Sequence, residues 1–333
     1  MRRLTSLFGL CHAARVRRGL EGERGATAVI FALLLVPILG FAAIAVDIGS
    51  LYADRAKLQI SADAAALAVA QDCARGACGD MLATARAMIL ANDDQGNTAQ
   101  PVLSGSPLSV TVTGSTPQAH WFAPVIGHDS TAVSATATVG WGGPSQGTAV
   151  LPVAFSWCSF LAQTGGGLPS GTTTQIIKLS KSADVAAQCT GPSGNVVPGG
   201  FAFLTTPSNQ CTAASAIAQL MNSSTGDSPP NGCTASDFAS YIGKTVLLPI
   251  FDQFGGTGSG GWYRVYGYAA FRLTGYQFTG QYSYGGNKVC GPGSNGSDRC
   301  ITGYFTRFVE LSDAWNYSPD APQLGSSVLR LIR

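Results

Sequence analysis

Residues 26–46, ATAVIFALLLVPILGFAAIAV, carry no charged side chain, while charges crowd both flanks. At about 1.5 Å rise per residue such a helix is about 30 Å long, which matches the hydrocarbon core of a bilayer. The pattern predicts a transmembrane helix. Beyond Asp47 it changes without breaking: Leu51, Leu58, Ala62, Ala65 and Val69 recur at spacings that align them on one helical face. Residues 62–70 are mostly alanine, the strongest helix former, so the helix is expected to run on until Arg75-Gly76-Ala77-Cys78-Gly79 breaks it. Residues 80–91 read as a second short helix with Leu82, Ala85 and Ile89 on one side.

From about residue 101 the period becomes two. Leu108, Val110 and Val112 alternate with Ser109, Thr111 and Thr113, and Val133, Ala135, Ala137 and Val139 with Ser134, Thr136 and Thr138. These are expected strands, joined by His120-Trp121-Phe122 and a turn at Gly127. Residues 142–333 are rich in Gly, Ser, Thr and aromatic side chains. Trp262–Tyr276 contains a strongly alternating strand, Val246–Phe251 and Ile301–Leu311 are further strand candidates, and residues 212–222 read as a helix. The fold class that follows is α+β. A transmembrane helix continues into a long helix packed on a small antiparallel sheet, followed by a β-rich domain. The expected divisions are 1–25 as a basic tail, 26–46 as the span, 47–141 as helix plus sheet, and 142–333 as the C-terminal domain.

Charge gives the span a direction. Arg2, Arg3, Arg15, Arg17, Arg18 and Arg24 precede it, against Glu21 and Glu23, while Asp47, Asp54 and Asp63 follow against Arg55 and Lys57. The positive-inside rule then places the N-terminus in the cytoplasm. A competing reading is a signal peptide cleaved after Ala43-Ile44-Ala45. The apolar run exceeds the roughly 7–15 residues of a signal core, which favours an uncleaved anchor. Arg2-Arg3 and Arg17-Arg18 share only the dipeptide with twin-arginine signals.

The cysteines fit that topology. Cys11 precedes the span, and Cys73, Cys78, Cys158, Cys189, Cys211, Cys233, Cys290 and Cys300 follow it. An even set on the oxidising side points to disulfides. With no Cys-x-x-Cys spacing and three histidines in all, a metal site is the poorer reading. Eight cysteines allow 105 pairings. Easy closure of short loops favours Cys73–Cys78 and Cys290–Cys300, and after them Cys158–Cys189 and Cys211–Cys233, with Cys11 left as a free thiol.

Catalytic chemistry finds little purchase. His120 and His128 are the histidines beyond the span, and Asp184, Asp237, Asp252 and Asp313 show no paired spacing. Gly256-x-Gly258-x-x-Gly261 precedes a strand instead of opening a helix, so it reads as a turn. A net charge of +2, with six arginines in the tail, argues against nucleic-acid binding. Trp262, Tyr266 and Tyr268 share one face of a strand and are the candidate binding surface, against the alternative that both faces are buried. No cofactor or metal is expected.

Glu23-Arg24-Gly25, the Val46-Asp47-Ile48-Gly49 exit, Leu51-Tyr52, Leu58-Gln59 and Ala62-Asp63-Ala64-Ala65-Ala66-Leu67-Ala68 together resemble the Tad-type (TadE/TadG-like) pilus-assembly proteins, as does the strand pair ending Val133–Thr138. The resemblance covers about residues 22–141. It implies a non-enzymatic, membrane-anchored structural or assembly component of a Tad/Flp-type pilus. That places it in a bacterial inner or plasma membrane as a single-pass protein, N-terminus inside and the C-terminal domain periplasmic or extracellular. It also implies that the helix over 26–72 packs against other Tad pilus-assembly proteins or pseudopilins. Two departures stand out. Pilins and pseudopilins of this system are cut after a glycine, with a glutamate five residues on. Counted from Gly25 that position is Ile30, so the resemblance implies neither prepilin processing nor standard fibre assembly. Some large TadG-like members carry a metal-dependent adhesion domain, but no Asp-x-Ser-x-Ser occurs here. The alternative function is a surface adhesin that binds through the C-terminal β domain.

Overall fold

The computed structural model describes residues 9–106, 108–179, 188–207, 210–224, 226–286, 288–311 and 313–332, with side chains from Gly25 onward except Ile126. The side chains of Cys11 and of the basic tail, together with Asp184, lie outside the described residues.

One helix runs from Gly9 to Ala74. Its segment from Gly25 is long and apolar enough to cross a membrane, and the most apolar window is not buried at all. Farther along, burial becomes one-sided: Leu58, Ala62, Ala65, Ala66, Val69 and Ala70 are fully buried. The small alanines let the helix lie close on the sheet, whose Val110, Val112, Ala137 and Val139 fill the other side of this core. The following helix, Met81–Asn92, is capped by the Asp80 carboxylate, which accepts from the Ala83 N–H at 3.0 Å. Its buried stripe is Ala85 and Ile89, flanked by Met81 and Met88. Leu82 shares that face by spacing but sits in the first turn of the helix and is 37% exposed.

The sheet under the helix is built on the Leu108–Ala119/Ser130–Ala149 hairpin, in register from Ser109 opposite Gly140 to Ala119 opposite Ser130. Inward valines and alanines alternate with outward threonines, and the Thr111 and Thr138 hydroxyls meet at 3.0 Å across the pair. The long strand does not stop at the expected division between residues 141 and 142. It continues to Ala149 and pairs with Ala213–Ala216 and Trp315–Ser318, while Ser326–Leu331 returns to pair with Val139–Gly142. Along that last strand Val328 enters the C-terminal core and Leu329 the helix–sheet core.

The second sheet is ordered Gln175–Lys178, Cys300–Thr306, Trp262–Gln277, Thr245–Gly255, Val153–Ser156, Phe201–Phe203. Its core is aromatic: Phe271 lies 4.6 Å from Phe155 and 5.1 Å from Phe305 between ring centroids. Buried Asp252 is paired with Arg264 at 3.3 Å, which offsets its desolvation.

The expected helix over 212–222 is instead two strands, Ala213–Ala216 and Leu220–Asn222. Alanine favours a helix locally, but pairing with residues 146–149 and 262–264 satisfies the same backbone groups within larger sheets, and Ala218 takes a left-handed φ of 65° between them.

Candidate functional site at the membrane exit

Asp47 is the first charge after the apolar run, and it is buried at 7% exposure. Its carboxylate reaches across to the hairpin loop and accepts the N–H groups of Trp121 at 2.9 Å, Phe122 at 3.1 Å and Ala123 at 2.8 Å. These donors open the short 3-10 turn Ala123–Ile126, where Pro124 sets φ and Gly127 closes the turn at φ +88°. The ends of the loop are tied by the His120 N–H to the Asp129 carbonyl at 3.0 Å, and by His120 Nε2 to the Thr131 hydroxyl at 2.8 Å. His120 is thus a turn residue held in the loop.

Burial raises the Asp47 pKa, but the three backbone donors and nearby His120 outweigh it and leave the carboxyl below its ordinary value. A lowered folded-state pKa means that the clamp stabilises at neutral pH and loses this contribution as pH falls through that value. Asp47→Asn keeps the size and removes the charge. We expect proteolysis within residues 120–129 to rise several-fold in the variant, with wild type approaching it under acid. Equal cleavage at pH 7 would show that the carboxylate does not hold the loop.

Around this clamp the surface is apolar. Gly40, Ala43 and Ile44 of the helix and Phe122 and Val125 of the loop line a groove of about 500 Å³. Trp121 is 75%, Phe122 48% and Val125 89% exposed. Read from sequence alone, 120–127 is only a connection between two strands. The available signal was an uncharged Trp-Phe-Ala-Pro-Val-Ile-Gly run inside a hairpin of serines and threonines. On the helix itself Ile48, Tyr52, Ala56 and Ile60, spaced by four, form an exposed stripe, with Tyr52 at 79%.

The expected aromatic surface of the C-terminal domain does not form as one face. Tyr268 is buried, its ring 4.9 Å from Trp315 and its hydroxyl 2.9 Å from Ser215 Oγ, and burial pushes its pKa up to about 12 against the opposing bond to Ser215. The reason is positional: from Gly267 to Phe271 both faces of the strand are buried. Tyr266 is half-buried against Trp157 at 5.4 Å, and Trp262 lies over Gly255, where an added Cβ would come within 2.5 Å of the indole. The cysteines join as Cys73–Cys78, Cys158–Cys189, Cys211–Cys233 and Cys290–Cys300, each with its neighbour in sequence. Among the described residues, no group of three or more His, Cys, Asp or Glu side chains could hold a metal ion.

Residues 25–72 match the family model described as Tad, putative Flp pilus-assembly TadE/G-like. No curated protein and no solved structure matches the chain. The matched segment is the exposed apolar helix together with its continuation over the first sheet, and it includes Asp47.

Proposed function

We propose that this chain is a membrane-anchored structural or assembly component of a Tad/Flp-type pilus, acting through its long helix and not through catalysis. The observation that carries the reading is the family match over residues 25–72, which coincides with the helix segment that is first fully exposed and then buried on one side. The N-terminus lies in the cytoplasm and the sheets lie outside, as the arginine asymmetry and the four disulfides favour. The stripe Ile48, Tyr52, Ala56 and Ile60 continues the apolar surface past the span and fits helices of other pilus-assembly proteins. Ile30 at the position of the missing glutamate argues that the chain keeps Arg24–Ala26 instead of being cut after Gly25. The adhesin alternative is the weaker one, because Tyr268 is withdrawn from its binding face.

A photo-crosslinking amino acid at position 52, in cells that build the pilus, should give adducts with another Tad/Flp assembly protein. The same probe at Thr172, an exposed loop position, should give none. Adducts from position 172 alone would overturn the helix-packing role. Alkaline phosphatase fused at the C-terminus should be active, and intact mass should retain Arg24–Ala26. An inactive fusion would reverse the orientation, and a chain beginning at Ala26 would place it among the processed subunits.

A further inference from the structure

The loop clamped by Asp47 stands at an unusual height. We propose that the Trp121–Gly127 turn is a second membrane contact, seated in the lipid interface beside the point where the helix emerges. This rests on the reading of residues 26–46 as a span, and goes beyond it by assigning the membrane a patch of the folded domain.

The argument begins with depth. Gly40 precedes Asp47 by seven residues, so it lies about 10 Å further into the span. Yet Gly40, Ala43 and Ile44 share a groove with Phe122 and Val125. A loop that reaches the level of those helix residues shares their surroundings. If the helix there is in lipid, the loop side chains are at the lipid boundary.

The loop is composed for that position. Residues 121–127 carry no charge, Trp121 and Val125 are mostly exposed, and Pro124 removes one backbone donor that would otherwise need a partner. The N–H groups of Trp121, Phe122 and Ala123 go to Asp47, and those of Val125, Gly127 and His128 go to the carbonyls of Phe122, Pro124 and Ala123. The backbone is thereby largely satisfied internally, as lipid requires. Trp121 supplies the amphipathic ring that is enriched at membrane interfaces. Of the charged and titratable groups nearby, Asp47 and His120 line the inner side of the groove, Asp47 held by the loop's own N–H groups, and His128 and Asp129 follow the loop in sequence. A second fixed contact would restrict how the sheets tilt about the helix, which a single span alone leaves free.

The full chain, with Cys11→Ser, is reconstituted in vesicles of phosphatidylcholine and phosphatidylglycerol. A nitroxide is attached in turn at Val125→Cys, Leu33→Cys and Thr172→Cys. The label at 125 should be relaxed several-fold more by oxygen than by a water-soluble nickel chelate, as at 33 and opposite to 172. A water-exposed label at 125 with a lipid-exposed one at 33 would overturn the second contact and leave the anchor standing. Water exposure at both would overturn both readings. A label at 125 shielded from both reagents would mean that protein covers the loop, which also overturns the lipid assignment. Should the added cysteine disturb folding, Trp121→Phe serves instead: quenching of tryptophan emission by brominated lipid should fall several-fold, and unchanged quenching would refute the contact.

Discussion

Phe271→Ala should destabilise the C-terminal body by about 3–5 kcal/mol, read as a lower midpoint in urea unfolding of the detergent-solubilised protein. The ring is fully buried and held between Phe155 and Phe305. It also covers Gly303 on the neighbouring strand, where an added Cβ would lie 2.5 Å from the ring edge and 2.1 Å from the Arg272 carbonyl. Truncation would remove this packing and open a cavity that cannot easily collapse, because its lining belongs to paired strands. Leu331→Ala, at an exposed position near the chain's end, should change stability by no more than about 0.5 kcal/mol. Comparable losses from the two variants would mean that the aromatic cluster is not the centre of this body.

Leu34→Arg combined with Ile38→Arg should abolish stable membrane association. The two positions lie four apart on one face, within the segment where no side chain is buried by protein. An arginine near the centre of a span costs about 2.5–3.5 kcal/mol on insertion scales, so the pair costs about 5–7 kcal/mol. The wild-type chain should stay in the pellet after alkaline carbonate extraction and the variant should leave it. Retention of the variant at the wild-type level would show that this segment does not hold the protein in the bilayer.

Elements governed by local periodicity were legible in the sequence. The helix stripe from Leu58 to Val69 and the valine–threonine alternation at 108–113 and 133–139 each carry enough repeats to reveal their buried face. Residues 212–222 were not, because alanine-rich composition is compatible with either state and the partner strands decide. Tyr268 shares its parity with Trp262, but parity gives a face and not its cover, which comes from Trp315 far along the chain. The same limit hid the clamp. Asp47 and Trp121 each look ordinary in sequence, and only the hairpin's reach across the helix brings them together.

The return of Ser326–Leu331 to the first sheet sets an order on maturation. Its Val328 opposite Gly142 and Leu331 opposite Val139 join the two ends of the non-helical chain. Under the proposed orientation the helix enters the membrane before the Ser326–Leu331 strand crosses it. Helix and hairpin can therefore meet early, but the sheet nearest the bilayer keeps an open edge until residues 326–331 have crossed. During that interval the edge at 139–142 is the place where a chaperone or a second copy could pair, and the arrival of Ser326–Leu331 closes it.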